Sequence, residues 1–115
     1  MGKMTLLKHF AFAGHTGESF ISDWVRVPEQ NQNWQLVFEV HSRISTTVAT
    51  GQLQTTWDTS VEDDIGSSVN LATVGLNIQN ISSGMGPMVR LVLAAGGSAV
   101  DSAVTVSVFL TPKSQ

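Results

Sequence analysis

Three histidines are the side chains best suited to hold a metal ion or move a proton in this sequence: His9, His15 and His41. A zinc site needs three or four ligands that converge on one point, and histidine ligands on a helix recur four residues apart. These three are scattered along the chain without that spacing, so three distant segments would have to meet. We therefore expect no metal site and interpret the histidines as surface or interface residues.

The acidic cluster of the chain is Glu62, Asp63 and Asp64, within V-E-D-D-I-G. A calcium loop places its oxygen ligands at alternating positions around a tight turn, which consecutive acids do not match. The sequence therefore predicts a solvated loop over residues 58–70, with one or two irregular calcium ligands as the alternative. No nucleophile–base–acid arrangement and no phosphate-binding loop is readable, so we expect no catalytic residue, no cofactor and no enzymatic activity.

The three tryptophans are either core residues or platforms for a ligand. Trp34 and Trp57 share their predicted strand faces with aliphatic residues, which predicts that both are buried. Trp24 shares its face with Ser22 and Arg26, which makes it the candidate for a partly exposed aromatic at a contact. Exposed tryptophans stack on sugar rings, so a carbohydrate-binding role remains the alternative.

The composition favours a neutral, polar surface. Charged residues make up 13% of the 115-residue chain, well below the usual ~25%. Such surfaces are typical of binding modules and assembly subunits. The six basic residues form no run and the net charge is -3, so we expect no nucleic-acid partner. The absence of cysteine excludes disulfides and thiolate metal sites. No segment reaches the ~18 apolar residues of a membrane helix, so no membrane association is expected.

Apolar and polar residues alternate with a period of two through most of the chain, which is the pattern of half-buried strands. The alternating segments are 19–27, 34–41, 51–57, 71–81, 88–93 and 103–110. Residues 1–17 form an N-terminal arm or first strand, predicted to make contacts outside its own domain. The remainder, residues 18–115, is predicted to be one antiparallel β domain, a sandwich or a barrel, with seven to eight strands and no helix.

Apolar residues exceed what one core face needs. The predicted core face of the last strand consists of Val104, Val106, Val108 and Leu110. Other apolar residues lie behind that hairpin, in a glycine loop or near the N-terminus, where such groups either fold back or dock on a neighbour. Together with the tryptophan discussed above, they form six candidate partner-binding residues: Phe10, Phe12, Trp24, Met85, Met88 and Phe109.

Three segments carry a family resemblance: L-Q-T-T-W-D at 53–58, V-R-L-V-L at 89–93 and V-T-V-S-V-F-L-T-P-K at 104–113. Across residues 34–113 the pattern resembles small β-sandwich proteins encoded among tailed-bacteriophage structural genes, the capsid decoration or cement proteins. The resemblance implies a jelly-roll-like fold, no catalysis, and binding of the major capsid protein at the outer face of an assembled capsid. It also implies a homo-oligomer, with a trimer favoured, made in the host cytoplasm and located on the virion surface.

Two functions of different classes therefore follow from the sequence. The first is a virion structural protein that decorates a capsid and stabilises the shell. The alternative is a carbohydrate- or receptor-binding β-sandwich module, such as a phage fibre tip, which requires exposed aromatic side chains near a groove.

Overall fold

The computed structural model describes residues 4–15, 17–27, 33–44, 47–58, 60–81, 85–96 and 102–112. These residues form nine strands and no helix: β1 (Met4–Gly14), β2 (Ser19–Ile21), β3 (Val25–Arg26), β4 (Trp34–Arg43), β5 (Ala49–Thr56), β6 (Glu62–Asn70), β7 (Gly75–Ile81), β8 (Met88–Ala95) and β9 (Ser102–Pro112). The all-β prediction is confirmed.

Two antiparallel sheets face each other. Sheet A has the strand order β1-β9-β4-β7, and sheet B has the order β2-β8-β5-β6 with β3 also paired to β8. When β2 and β3 are counted as one interrupted strand, each sheet has four strands, and the chain crosses between the sheets in the order of a jelly roll. The jelly-roll prediction is thereby confirmed, and the strand count is nine because of the interruption.

The core lies between the sheets and is built by the alternation seen in the sequence. In sheet A, Trp34 and Phe38 of β4 are fully buried, as is Val106 of β9. In sheet B, Leu53 and Leu91 meet them from the opposite side. The predicted core face of the last strand is confirmed, because Val104, Val106, Val108 and Leu110 are all at most 3% exposed.

The predicted single strand over residues 19–27 is divided by a bulge. Ile21 pairs with Val92 and Val25 with Val89, so β2 and β3 place one extra residue opposite β8. Ser22 fills the gap, because its hydroxyl oxygen accepts a hydrogen bond from the backbone N–H of Leu91 at 2.8 Å. Bulges of this kind change the direction of the neighbouring side chains.

The predicted loop over residues 58–70 is wrong, because most of it is strand β6. Glu62, Asp63 and Asp64 pair across to β5, and β6 is an edge strand on which charged side chains remain in water. The N-terminal segment is a strand of the sandwich: Phe10 pairs with Val106 along β9.

Candidate contact surfaces

The outer face of sheet B carries a polar network centred on Arg90. Its Nε donates a hydrogen bond to Gln54 Oε1 at 2.9 Å, and Gln54 Nε2 donates in turn to Asp64 Oδ1 at 3.0 Å. The guanidinium also lies 3.9 Å from Glu62 Oε1 and 4.3 Å from the centre of the Trp24 ring. The bulge between β2 and β3 places Trp24 over this arginine, and cation–π contacts of this type stabilise both groups.

This network is satisfied within the chain. The Arg90 guanidinium lies beside the Glu62 carboxylate, and one face of the Trp24 ring is covered. Glu62 and Asp64 are used by Arg90 and Gln54, while Asp63 lies opposite Thr55 on the other side of β6. No group of three or more His, Asp or Glu side chains placed to hold a metal ion occurs among the described residues.

The turn between β5 and β6 exposes two apolar side chains. Trp57 is 64% exposed and Val61 is 67% exposed, so the prediction that Trp57 is a core residue is wrong. The reason is local: β5 ends at Thr56, and Trp57 has already left the alternation. The Ser60 hydroxyl and backbone N–H both donate to Asp58, which lowers the pKa of that carboxyl and fixes the turn.

The outer face of sheet A carries an apolar row that crosses three strands. Phe109 of β9 lies opposite Val37 of β4, and Val37 lies opposite Ile78 of β7. Leu76 follows Ile78 on the same face of β7. Phe109 and Val37 are half-buried, whereas Ile78 is 56% and Leu76 is 64% exposed. We refer to Phe109, Val37, Ile78 and Leu76 as the apolar stripe.

Two of the three histidines meet on the same outer face. The rings of His9 and His41 stack with their centres 4.2 Å apart. Between them, the Ser107 oxygen accepts the His9 backbone N–H at 2.9 Å and lies 2.8 Å from His41 Nε2. His9 has a φ of 46°, which is uncommon for a residue other than glycine. His15 lies apart, in the turn after β1, where its backbone N–H donates to Glu18.

The six predicted partner-binding residues are distributed over three places. Phe12 and Met85 are each only 6% exposed, so both belong to the chain's own core. The expectation that these two side chains bind a partner is therefore corrected. Phe10 is half-buried, with its ring centre 4.4 Å from that of Phe20 across the two sheets. The remaining three lie on outer faces: Trp24 and Met88 on sheet B, and Phe109 on sheet A.

The most exposed members of the apolar stripe were not singled out from the sequence. A signal was present in the phase of β7, where Leu76 and Ile78 fall on one face and Ile81 on the other. Ile81 is buried opposite Trp34, which turns Leu76 and Ile78 outward. The alternation alone does not state which of the two apolar sets faces the core.

Chains of similar fold occur in solved structures of a virus. A chain in the VP2 subviral particle of infectious bursal disease virus matches with a TM-score of 0.58 and 12% identity, covering 96% of this chain and 31% of that one. A chain from the Gt strain of the same virus matches with a TM-score of 0.56, 12% identity and the same coverage. A chain from the Gx strain has a TM-score of 0.55 at 9% identity, covering 94% of this chain and 30% of that one.

At such low identity these matches show the fold alone, a two-sheet β-sandwich. This chain spans less than a third of the length of each viral chain. No protein-family model and no curated protein matches the sequence. In the part of the chain that the structure describes, no helix is long and apolar enough to cross a membrane.

Proposed function

We propose that this protein is a structural component of a virion, a decoration protein that binds the outer surface of a shell built by the major capsid protein. The observation that carries the proposal is the apolar stripe. Leu76 and Ile78 are both more than half exposed beside the half-buried Val37 and Phe109. Contiguous apolar surface of this kind, rimmed by polar residues, marks sites of protein–protein contact.

The surroundings of the stripe support a protein partner. The apolar stripe is flanked on β4 by Gln35 and Glu39 and on β7 by Asn80. An apolar centre with a polar rim is the usual anatomy of a protein–protein interface. The described strands β4, β7 and β9 pair in continuous ladders over this region, so the stripe lies on an open sheet face. An open sheet face suits another protein surface better than it suits a small molecule, which prefers a concave pocket.

The likeness to chains of infectious bursal disease virus supports a virion role at the level of fold. A decoration protein acts by binding area and needs no catalytic group. Because it contacts the assembled shell and not the separated subunits, it shifts the equilibrium toward assembly by mass action. In this proposal the protein is made in the host cytoplasm, assembles as a homo-oligomer and resides on the capsid surface.

A direct test is sedimentation with shells assembled from the major capsid protein encoded in the same genome. Val37→Lys places a charge in the centre of the stripe without altering the core face of β4. We expect this variant to lose most of the shell binding that the wild type shows. Ile21→Lys is the matched control, since Ile21 is 51% exposed but lies on sheet B. Binding by Val37→Lys equal to that of wild type would overturn the proposal.

Deleting residues 1–17 does not test the proposal in this fold. The deletion would remove strand β1, which pairs along β9 and contributes Phe12 to the core. Loss of binding would then report unfolding, so substitutions on outer faces are the appropriate variants.

A carbohydrate-binding role is a second candidate, and the exposure of Trp57 favours it. The ring stands on the β5–β6 turn and is 64% exposed, as a sugar-stacking residue must be. Trp24 is a weaker platform, because Arg90 covers one face of its ring. A glycan array probed with wild type, Trp57→Ala and Trp24→Ala tests this function. Binding that depends on Trp57 alone would support it, and an empty array with folded protein would reject it.

A further inference from the structure

The two sheets present four edges, and three of them carry features that discourage pairing with another strand. β1 is interrupted by register shifts between Thr5 and Phe10. β2 is three residues long and is followed by the bulge at Ser22. β6 exposes Glu62 and Asp64. Bulges, short strands and charges are the usual means by which proteins protect the edges of their sheets.

The fourth edge, β7, has none of these features. Its pairing with β4 runs without a register shift from Ile81 to Gly75. Its sequence, G-L-N-I-Q-N-I, has no charge and no proline. Among the described residues, no backbone hydrogen bond joins the side of β7 away from β4 to another strand. A regular, uncharged edge with unpaired backbone groups is a template for an added strand.

We propose that β7 pairs antiparallel with β7 of a second copy of this chain, around a two-fold axis at Ile78. The edges of the two A sheets then join into one sheet of eight strands. A pair of this kind is self-complementary and closes at two subunits. It therefore differs from the trimer that the resemblance to decoration proteins implies.

The sequence of β7 argues for a second copy as the occupant. With the axis at Ile78, all seven residues find a partner: Gly75 faces Ile81, Leu76 faces Asn80, and Asn77 faces Gln79. Ile78 meets its own equivalent on the outer face. Because the strand is neutral, two copies approach without the repulsion that like charges cause in cross-strand pairs.

The proposed dimer also bears on the proposed function. The pairing itself is independent of shell binding, and only its biological role rests on the proposed function. The axis is perpendicular to the joined sheet, so both apolar stripes lie on the same outer face. They form one continuous row from Phe109 through Ile78 to the Phe109 of the second copy. A shell would then meet a contact surface twice as long as one chain provides, which increases avidity.

The test is the molar mass of the free protein by sedimentation equilibrium, without any shell present. We expect twice the 12.3 kDa of one chain. Ile78→Lys and Ile78→Glu, each alone, place like charges opposite each other and should weaken the dimer at least about tenfold in Kd. Mixing the two variants should restore a heterodimer, because Lys then faces Glu across the axis. Ile21→Lys, at a similar exposure on β2, should remain dimeric.

The proposal would be overturned by a monomer at all concentrations, by a trimer, or by a dimer that Ile78→Lys leaves unchanged. A dimer without rescue in the mixed sample would place the axis elsewhere and would also reject it. Because Val37 lies on β4 and away from the edge, loss of shell binding in Val37→Lys with the dimer intact separates the two proposals. Shell binding by a strictly monomeric protein would retain the proposed function and reject the dimer.

Discussion

Gly51 of β5 lies directly beneath the ring of Phe38 of β4, across the interior between the two sheets. A Cβ atom added to Gly51 would collide with Cε2 of that ring and would lie 2.8 Å from Cζ and 3.3 Å from Cδ2. Favourable carbon contacts lie at about 3.5–4.0 Å. Phe38 is fully buried, so the ring has no free space into which it can move.

The expected cost of Gly51→Ala follows from this overlap. Overpacking a core by one methyl group costs about 1–3 kcal/mol, and relief of the glycine entropy penalty returns about 0.5–1 kcal/mol. We expect a net destabilisation of about 2 kcal/mol, because the collision is with a rigid aromatic ring. Phe38→Leu removes the colliding atoms and by itself should cost about 1.5 kcal/mol through lost contacts.

A double-mutant cycle tests whether this contact joins the two sheets. Urea denaturation of wild type, both single variants and the double variant gives four free energies of unfolding. The double variant should cost about 2 kcal/mol, well below the sum of the single variants, which is a coupling of about 1.5 kcal/mol. Additive costs would mean that Gly51 and Phe38 do not touch, and would refute the packing of β4 on β5.

Three further substitutions test the interior and two special backbone positions by the same denaturation assay. Val106→Asp buries an unpaired charge and should cost about 4 kcal/mol or more, or abolish folding. Ser107→Ala removes the acceptor of the His9 backbone N–H and should cost about 1–2 kcal/mol. Gly66→Ala, at a φ of 69° and with its Cβ 2.7 Å from Gln79 Oε1, should cost about 2 kcal/mol.

Each of these outcomes can fail in a specific way. A wild-type midpoint for Val106→Asp would mean that β9 presents its other face to the core. An unchanged free energy of unfolding for Ser107→Ala would show that water replaces the hydroxyl. The Ser107 hydroxyl of β9 would then not hold the bulged part of β1. A stabilised Gly66→Ala would contradict the left-handed backbone at that position.

The central strands could be predicted from the sequence because each is buried on one complete face. Trp34 on β4 and Val106 on β9 belong to uninterrupted apolar alternations, and both are fully buried. Each of these strands lies between two neighbouring strands and faces the core along its whole length. Apolar and polar residues therefore alternate along the whole strand. Strand number and spacing predict an antiparallel sandwich or barrel, and only the family resemblance implies the jelly-roll order.

Edge strands could not be predicted as well, because half of their surroundings is solvent. The sequence predicts a loop where β6 forms, because Asp63 and Gly66 weaken its alternation. Its formation depends on pairing with β5, such as that of Gln54 with Asp64, which composition does not reveal. On β7 the alternation was visible, but only its pairing with Trp34 shows that Ile78 faces outward.

The contact surfaces were predictable in part. Phe109 was singled out because it lies opposite the core face of its own strand, and it belongs to the apolar stripe. Trp24 was recognised as partly exposed, but its contact with Arg90 requires a bulge that joins strands distant in sequence. Met85 looked unexplained in a glycine loop, yet the chain folds back and buries it.

The proposed role depends on which face of the sandwich meets a shell, and a cryo-electron microscopy map of decorated shells measures this directly. We expect density for this chain with the outer face of sheet A against the shell and with Val37 and Phe109 inside the contact. Density with sheet B or the β5–β6 turn carrying Trp57 against the shell, or shells that bind no protein at all, would contradict it.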